Sequence, residues 1–330
     1  MQTETIFPWL KTIWQSLLLR KSQNRLPHAL LFSGADGVGK KELAQSFANY
    51  LLCDSPKEDG ACGNCKACRL QHAASHPDFI RVTPEEGAQL IKIDQIREIV
   101  SFVNSTSMLN GYRVILINPA TAMNIYAANA LLKTLEEPTA NTLLILICNQ
   151  SLRLPATVSS RCQKISFLKP DRGTALEWLH AKINDRDIKE LSFALDLADG
   201  APLQAHNFLI NDTITLRRDL YDGLVQLSLQ QADPLQFAAK WEDQDIKMTL
   251  SLLLVWVQDI LRYKLTGSQS QLINADYDSA IAKLTNKITQ LSLLQYTDSI
   301  QKIYAQLLNS LNMNRQLLLK EVFIKWVKLC

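Results

Sequence analysis

A chain of 330 residues is longer than one ordinary domain and predicts roughly two or three. Hydrophobic residues make up 47% of it, enough for several cores, and no apolar run reaches the roughly 18 residues of a membrane span. The 35 basic and 32 acidic residues leave a net charge of only +3, which excludes a uniformly basic surface for nucleic acid. The N-terminus lacks the basic-then-apolar order of a signal peptide, so we expect a cytoplasmic protein.

The first part of the chain predicts a helix, a strand and a glycine-rich loop. Apolar residues at helical spacing predict a helix over residues 4–22, and an apolar run predicts a strand over residues 29–32. Residues 34–41, called the phosphate loop below, read Gly-Ala-Asp-Gly-Val-Gly-Lys-Lys and precede a second helical pattern. This order is typical of a loop whose backbone N–H groups bind phosphate. The candidate phosphate contacts are Gly34, Gly37, Gly39 and Lys40.

One catalytic position of the phosphate loop is lost. The last residue of the Gly-x-x-x-x-Gly-Lys-Ser/Thr pattern supplies a hydroxyl to Mg²⁺, and this chain has Lys41 there. The loop therefore has the shape of a nucleotide site without one of its catalytic atoms. A strand–helix turn that binds no ligand is the alternative, and the loop residues by themselves leave both open.

Four cysteines follow within sixteen residues, in the pattern Cys-x8-Cys-x2-Cys-x2-Cys. They are Cys53, Cys62, Cys65 and Cys68. Two overlapping Cys-x-x-Cys units allow neighbouring thiolates to share one tetrahedral Zn²⁺, which predicts a structural zinc module over residues 53–76. His72 and His76 are further candidate ligands. Disulfides are the alternative, which a reducing cytosol disfavours, and no adjacent carboxylate is placed to act as a base beside a catalytic zinc.

Strands and helices alternate through the next hundred residues. Predicted strands cover residues 78–82, 113–117, 142–147 and 163–167, and predicted helices cover residues 93–103 and 124–137. This alternation predicts an α/β fold with a parallel sheet covered on both faces. After the strand at 113–117 an ATPase needs an acid for Mg²⁺ and usually a second to orient water, but the chain has Asn118 and Pro119. Three lost catalytic positions argue against Mg²⁺-dependent hydrolysis.

The composition changes after Lys169-Pro170, and no strong strand pattern follows. Three short helices are predicted over residues 171–183, 187–198 and 202–210, and longer helices follow to the end of the chain. The fold class is therefore α/β followed by all-α. We predict domains at residues 1–168, 169–210 and 211–330.

Several motifs together resemble the clamp-loader subunits of bacterial DNA polymerase III, which are AAA+ proteins. Residues 129–138 (Asn-Ala-Leu-Leu-Lys-Thr-Leu-Glu-Glu-Pro) resemble the hallmark helix of that family. The tripeptide Ser160-Arg161-Cys162 resembles its inter-subunit arginine motif. The four-cysteine module is similar to the family's in position and spacing. The resemblance covers nearly the whole chain, including the Asn-Arg pair at 314–315.

The resemblance implies a role in loading a sliding clamp onto primed DNA. It implies a AAA+ domain with the zinc module, a three-helix lid and a C-terminal collar that holds an oligomeric ring. The implied partners are the tau/gamma and delta subunits. A member with a broken ATP site but an intact Ser-Arg-Cys is expected to be a stator of the polymerase holoenzyme, without ATPase activity of its own. Arg161 is then implied to be an arginine finger toward ATP on a neighbouring subunit. Leu203 departs from active members, which carry a nucleotide-sensing Arg there.

Two other functions stay open from the residues. A catalytically active clamp-loader-type ATPase is favoured by Lys40 and the loop glycines and opposed by the three lost positions. A zinc-dependent nucleic-acid-binding module would bind DNA tightly and with strong salt dependence, and the low net charge opposes it. Residual nucleotide binding without hydrolysis also stays open.

Arg161 and two glutamates at a helix end have simpler interpretations. For Arg161 taken alone, pairing with a surface carboxylate is the alternative to a finger. Glu136 and Glu137 lie at the C-terminus of the predicted helix, where the macrodipole disfavours anions by a few tenths of a kcal/mol. We therefore predict a partner outside the chain for these two carboxylates.

Overall fold

The computed structural model describes residues 6–109, 111–149, 154–269, 272–309 and 314–330. The chain divides into two compact units. The first unit comprises Met1–Ile188 with Gly200–Ala205, and the second comprises Lys189–Asp199 with His206–Cys330. The three domains expected from composition stay a prediction.

The first unit is built on a five-stranded sheet. Its strands are β1 (Ala29–Gly34), β2 (Phe79–Val82), β3 (Arg113–Ile117), β4 (Thr142–Cys148) and β5 (Gln163–Phe167). Its helices are α1 (Lys11–Ser22), α2 (Lys40–Leu52), α3 (Lys66–His72), α4 (Ile93–Asn104), α5 (Ile125–Glu136), α6 (Ala156–Ser159) and α7 (Arg172–Lys182). The strand order is β2-β3-β4-β1-β5, and every pair is parallel. The predicted parallel sheet is therefore confirmed.

The first helix begins later than its apolar pattern predicted. A 3-10 turn at Pro8–Leu10 precedes α1, and residues 4 and 5 lie outside the described residues. Proline lacks an N–H and fixes its own φ, so Pro8 can open a helical segment but does not continue one from its N-terminal side.

Alternate residues of the central strands pack into two separate apolar layers. Ile115 of β3 points into a layer formed with α4 and α5. Leu116, the next residue, points into the layer formed with α1 and α2. Strands β3 and β4 are buried at every position because helices cover both faces of the sheet. This accounts for the continuous apolar runs in their sequences.

In the second unit, the described residues form helices and no strand, as the sequence predicts. The helices that run through this half of the chain are α8 (Ile188–Leu197), α9 (Pro202–Ile210), α10 (Thr213–Ser228), α11 (Pro234–Lys240), α12 (Ile246–Thr266), α13 (Asp278–Lys287), α14 (Gln290–Asn309) and α15 (Arg315–Leu329). No helix in the described part of the chain has both the length and the apolar character that a bilayer span requires.

A buried polar network and a close helix contact fix the packing of the second unit. Arg217 of α10 is 2% exposed and donates from Nε to Asn274 Oδ1 at 2.8 Å. Asp259 of α12 is fully buried and accepts from the backbone N–H and the Nδ2 of Asn274, both at 2.7 Å. Gly223 of α10 lies against Phe237 of α11, where an added Cβ would be 2.0 Å from Cε2 of the ring. Each of these contacts specifies one arrangement of the helices.

Candidate functional site

The phosphate loop connects β1 to α2 in a conformation that needs glycine. Gly37 and Gly39 have φ angles of 72° and 93°, in the left-handed region that side chains disfavour. Gly39 is the N-cap of α2, and Lys40 is the first residue of that helix. Lys41, which follows, is exposed. The predicted strand, loop and helix are therefore in the expected order.

The amine of Lys40 is bound by the loop itself. Its side chain is only 4% exposed, and Nζ donates to Gly34 O at 3.1 Å and to Ala35 O. Burial lowers the pKa of Lys40, and the nearby Asp36 carboxylate, 3.9 Å away, opposes that shift. In a working phosphate loop this amine contacts phosphate. Here the amine instead donates hydrogen bonds to the carbonyls of Gly34 and Ala35.

Aromatic residues near the N-terminus cover one side of the phosphate loop. Trp9 donates from Nε1 to Val38 O at 3.0 Å. Phe7 stacks on Trp9 with ring centroids 5.0 Å apart, and both rings meet Trp178 edge-on at 5.5 Å. A Cβ at position 39 would lie 2.8 Å from Cδ2 of Phe7, so the ring packs directly on Gly39. The sequence pattern assigned Trp9 to an ordinary helix face and missed this contact with the loop.

Two further segments contact the phosphate loop from other sides. The backbone N–H of Leu203 donates to Gly37 O at 3.0 Å, so the position predicted to have lost an arginine does lie beside the loop. A Cβ on Gly37 would lie 2.7 Å from the backbone nitrogen of Gln204. Asn149, directly after β4, donates from Nδ2 to Oδ2 of Asp36 at 2.6 Å. The role of Asn149 was not predicted, although a polar residue at the end of a buried strand was a usable signal.

The carboxyl end of β3 lacks both acids of a hydrolytic site. Asn118 follows the strand and donates its backbone N–H to Val82 O at 3.0 Å, and Pro119 comes next. The carboxyl ends of parallel strands lie along the same sheet edge, so these positions share an edge with the phosphate loop. Neither side chain carries the charge that Mg²⁺ needs.

The four clustered cysteines come together as predicted. All their Sγ atoms lie within 4.8 Å of one another. The Sγ–Sγ distance is 3.8 Å between Cys53 and Cys65, 3.9 Å between Cys62 and Cys68, and 3.6 Å between Cys53 and Cys68. Four thiolates about 2.3 Å from one tetrahedral Zn²⁺ lie roughly 3.8 Å apart, so the cluster is compatible with zinc.

Backbone N–H groups point at the sulfur atoms of the cluster. Cys62 N lies 3.3 Å from Cys53 Sγ, and Cys65 N lies 3.4 Å from Cys62 Sγ. Hydrogen bonds from the backbone of Asn64 and Cys65 lower the pKa of Cys62 to about 6, whereas burial raises the pKa of Cys53 and Cys68. A bound cation would favour the thiolate form of all four.

Neither candidate histidine belongs to the cysteine cluster. His76 is buried, and its Nδ1 accepts the backbone N–H of Asp78 at 3.1 Å. His72 ends α3 and is exposed. The donor set that the structure brings together is therefore four sulfur atoms.

Arg161 lies two residues after the end of α6 and contacts Glu136 of α5. Its Nη1 donates to Thr157 O at 2.8 Å, and its Nη2 lies 2.5 Å from Oε1 of Glu136. The two side chains are 36% and 50% exposed. Glu136 thus has a partner within the chain, and the partner outside the chain stays a prediction. Glu137, the C-cap of α5, is exposed.

The parallel sheet, with its phosphate loop between β1 and α2, defines a phosphate-loop type of α/β protein. The family model described as "DNA polymerase III, delta subunit" matches residues 9–171, and the one for the C-terminal part of that subunit matches residues 211–328. DNA polymerase III subunit delta′ of Pseudomonas aeruginosa is 37% identical over 324 residues, 98% of either chain. The subunit delta′ of Escherichia coli K12 is 30% identical and covers 97% of this chain and 94% of its own. This chain therefore belongs to the delta′ family of DNA polymerase III clamp-loader subunits.

The similarity extends to a second kind of DNA polymerase III subunit. DNA polymerase III subunit tau of Bacillus subtilis is 26% identical over 322 residues. The match covers 90% of this chain but 56% of the tau chain.

Proposed function

We propose that this chain is a non-hydrolysing stator of the clamp loader, which supplies Arg161 to ATP on a neighbouring subunit. The observation that carries the first part is the amine of Lys40, which is bound to Gly34 O and Ala35 O inside the loop. A nucleotide phosphate would have to displace these carbonyls from a buried cation. Even if a nucleotide displaced them, positions 118 and 119 offer no carboxylate to hold the Mg²⁺ that hydrolysis requires.

The second part of the proposal is supported by the position of Arg161. A guanidinium offers five N–H donors in one plane and stays charged at any physiological pH. Among the described residues, Arg161 uses Nη1 toward Thr157 O and Ser160 Oγ and Nη2 toward Glu136. Its Nε–H and one N–H of Nη2 point to no described partner and are suited to a phosphate. An arginine finger contributes roughly 10³–10⁵ in rate to phosphoryl transfer.

Membership of the delta′ family supports the partners that we propose. We assign it to a cytoplasmic ring with tau/gamma and delta subunits, in which the helical second unit contributes to the collar. Through that ring it would act on the sliding clamp and on primed DNA. Cys53, Cys62, Cys65 and Cys68 would hold one structural Zn²⁺, which would cross-link the segment between α2 and β2 and supply no catalytic water.

The test of the finger is the substitution Arg161→Ala in a reconstituted loader. We expect normal assembly and a sharp loss of the ATPase activity that clamp and primed DNA stimulate. Arg97→Ala is the matched control, because Arg97 is also exposed and ion-paired, at 2.8 Å from Asp94. Normal turnover in the Arg161→Ala complex would refute the finger.

The test of the stator is the purified chain alone. We expect no Mg²⁺-dependent turnover of ATP above that of a heat-denatured sample. Sustained turnover would favour the alternative, a catalytically active ATPase subunit, and would show that Lys40 can leave the loop carbonyls.

A further inference from the structure

We propose that Glu136 is a positioning residue for Arg161, which holds the guanidinium in place before a neighbouring nucleotide arrives. This inference rests on the proposed role of Arg161 as a finger in trans. It concerns Glu136 of α5 rather than Arg161 itself, and the orientation of the guanidinium before nucleotide binds rather than its contact with phosphate. Arg161 would contact the phosphate, and Glu136 would act only through Arg161.

The guanidinium is held by both of its terminal nitrogens. Nη1 donates to Thr157 O, one turn back along the chain, and Nη2 pairs with Oε1 of Glu136 at the end of α5. Helix α5 is anchored in the core by Leu131 and Leu135, so the carboxylate is attached to a rigid element. Two contacts, one from each helix, determine the orientation of the planar guanidinium. A single contact would leave it free to rotate.

The position of Glu136 is unfavourable unless the carboxylate has a cation. It is the last residue of α5, where the helix macrodipole disfavours negative charge. Arg161, 25 positions later in the chain, provides that cation. The helix end disfavours a glutamate at position 136, whereas the ion pair with Arg161 favours one. The glutamate is therefore accounted for by the pair and not by the helix.

The carboxylate has two opposite effects on a finger. It fixes the side chain, so less rotamer freedom is lost when the phosphate binds and more molecules are correctly oriented. It also neutralises part of the positive charge, which weakens attraction to the bound nucleotide. Removal of Glu136 should therefore lower kcat about three- to tenfold while leaving the KM for ATP unchanged or lower. A merely structural surface pair would change neither.

The experiment is a double-mutant cycle in the complete loader, reconstituted with tau/gamma and delta subunits, clamp and primed DNA. Glu136→Ala and Glu137→Ala are each made in the wild-type chain and in the Arg161→Ala chain. Glu137→Ala is the matched control, since it removes a neighbouring exposed carboxylate from the same helix end. Assembly is measured by size-exclusion chromatography and turnover by steady-state ATPase assays.

We expect Glu136→Ala to lower kcat and Glu137→Ala to leave it unchanged. In the Arg161→Ala chain, Glu136→Ala should have no further effect, because the group it positions is gone. Glu136→Gln keeps an acceptor oxygen and should restore more than half of the lost kcat. This conservative variant also serves if Glu136→Ala fails to assemble.

The outcomes separate this inference from the proposed function. Wild-type turnover in Arg161→Ala would overturn the finger and the positioning role with it. A slow Arg161→Ala complex, beside Glu136→Ala at the wild-type rate, would overturn only the positioning role. An equal loss from Glu136→Ala with and without Arg161 would also overturn it, because Glu136 would then act elsewhere.

Discussion

Replacement of Lys40 by Met separates the role of this lysine here from its role in an ATPase. In the structure Nζ donates to Gly34 O and Ala35 O, and no phosphate is needed to explain its position. We expect Lys40→Met to destabilise the chain while leaving the ATPase activity of the assembled loader unchanged. In a subunit that binds ATP through this residue, the same substitution would remove a phosphate contact.

The expected loss of stability follows from the two carbonyls. A hydrogen bond from a charged donor contributes about 1.5–3 kcal/mol, and a buried carbonyl left without a donor costs about 1–3 kcal/mol. Met relieves the burial of a cation, which offsets part of this loss. The net decrease in the free energy of unfolding should be about 1–3 kcal/mol, or roughly 2–4 °C in Tm for each kcal/mol in a unit of this size. Lys41→Met is the control, since Lys41 is exposed and should change stability by less than about 0.5 kcal/mol.

The pH dependence of stability gives an independent check on Lys40. Burial lowers the pKa of Lys40 from its ordinary value of 10.5, so the unfolded chain binds more protons between the lowered pKa and 10.5. The contribution of Lys40 to the free energy of unfolding therefore rises with pH across that window. The gap between wild type and Lys40→Met should widen there, as measured by urea unfolding at several pH values. A constant gap, or a loss of loader ATPase activity in Lys40→Met, would refute the reasoning.

Two further predictions concern the zinc module and the second unit. The purified chain should carry close to one Zn²⁺, and Cys68→Ser should lose it, whereas Cys330→Ser, outside the cluster, should retain it. Chelation should alter the fluorescence of Trp14, because its Nε1 donates to Glu58 O inside the module. A wild-type chain that contains no metal would contradict the zinc assignment. Gly223→Ala should lower the free energy of unfolding by about 1–3 kcal/mol because its Cβ would overlap Phe237. Gly111→Ala, with no described atom within 4 Å of its Cβ, should unfold at the same urea concentration as wild type.

Local sequence patterns predicted most of the helices and strands, because a strand that is buried on both faces is a continuous apolar run in the sequence. The strands at Arg113–Ile117 and Thr142–Cys148 were found within a residue, since helices cover both of their faces. The order of the strands is a different matter. Nothing in residues 29–34 records that β1 lies between β4 and β5, and only the assembled sheet shows it.

The same limit applies to the candidate site. The cysteine cluster was predicted because its four sulfur atoms come from sixteen consecutive residues. The contact between Asp36 and Asn149 joins residues 113 positions apart, and no periodicity relates them. The Arg161–Glu136 pair was missed for the same reason, although each residue was singled out separately. Long-range pairs depend on how strands and helices are connected, which single-sequence patterns do not specify.

The glycines of the phosphate loop have a consequence for how such motifs persist. Gly37 and Gly39 belong to the pattern of a nucleotide-binding loop, whether or not this loop binds nucleotide. A side chain at either position would meet Gln204 or Phe7 in a left-handed backbone, so folding alone selects against it. The packing of the fold can therefore preserve the glycine pattern of a nucleotide site without any contribution from catalysis.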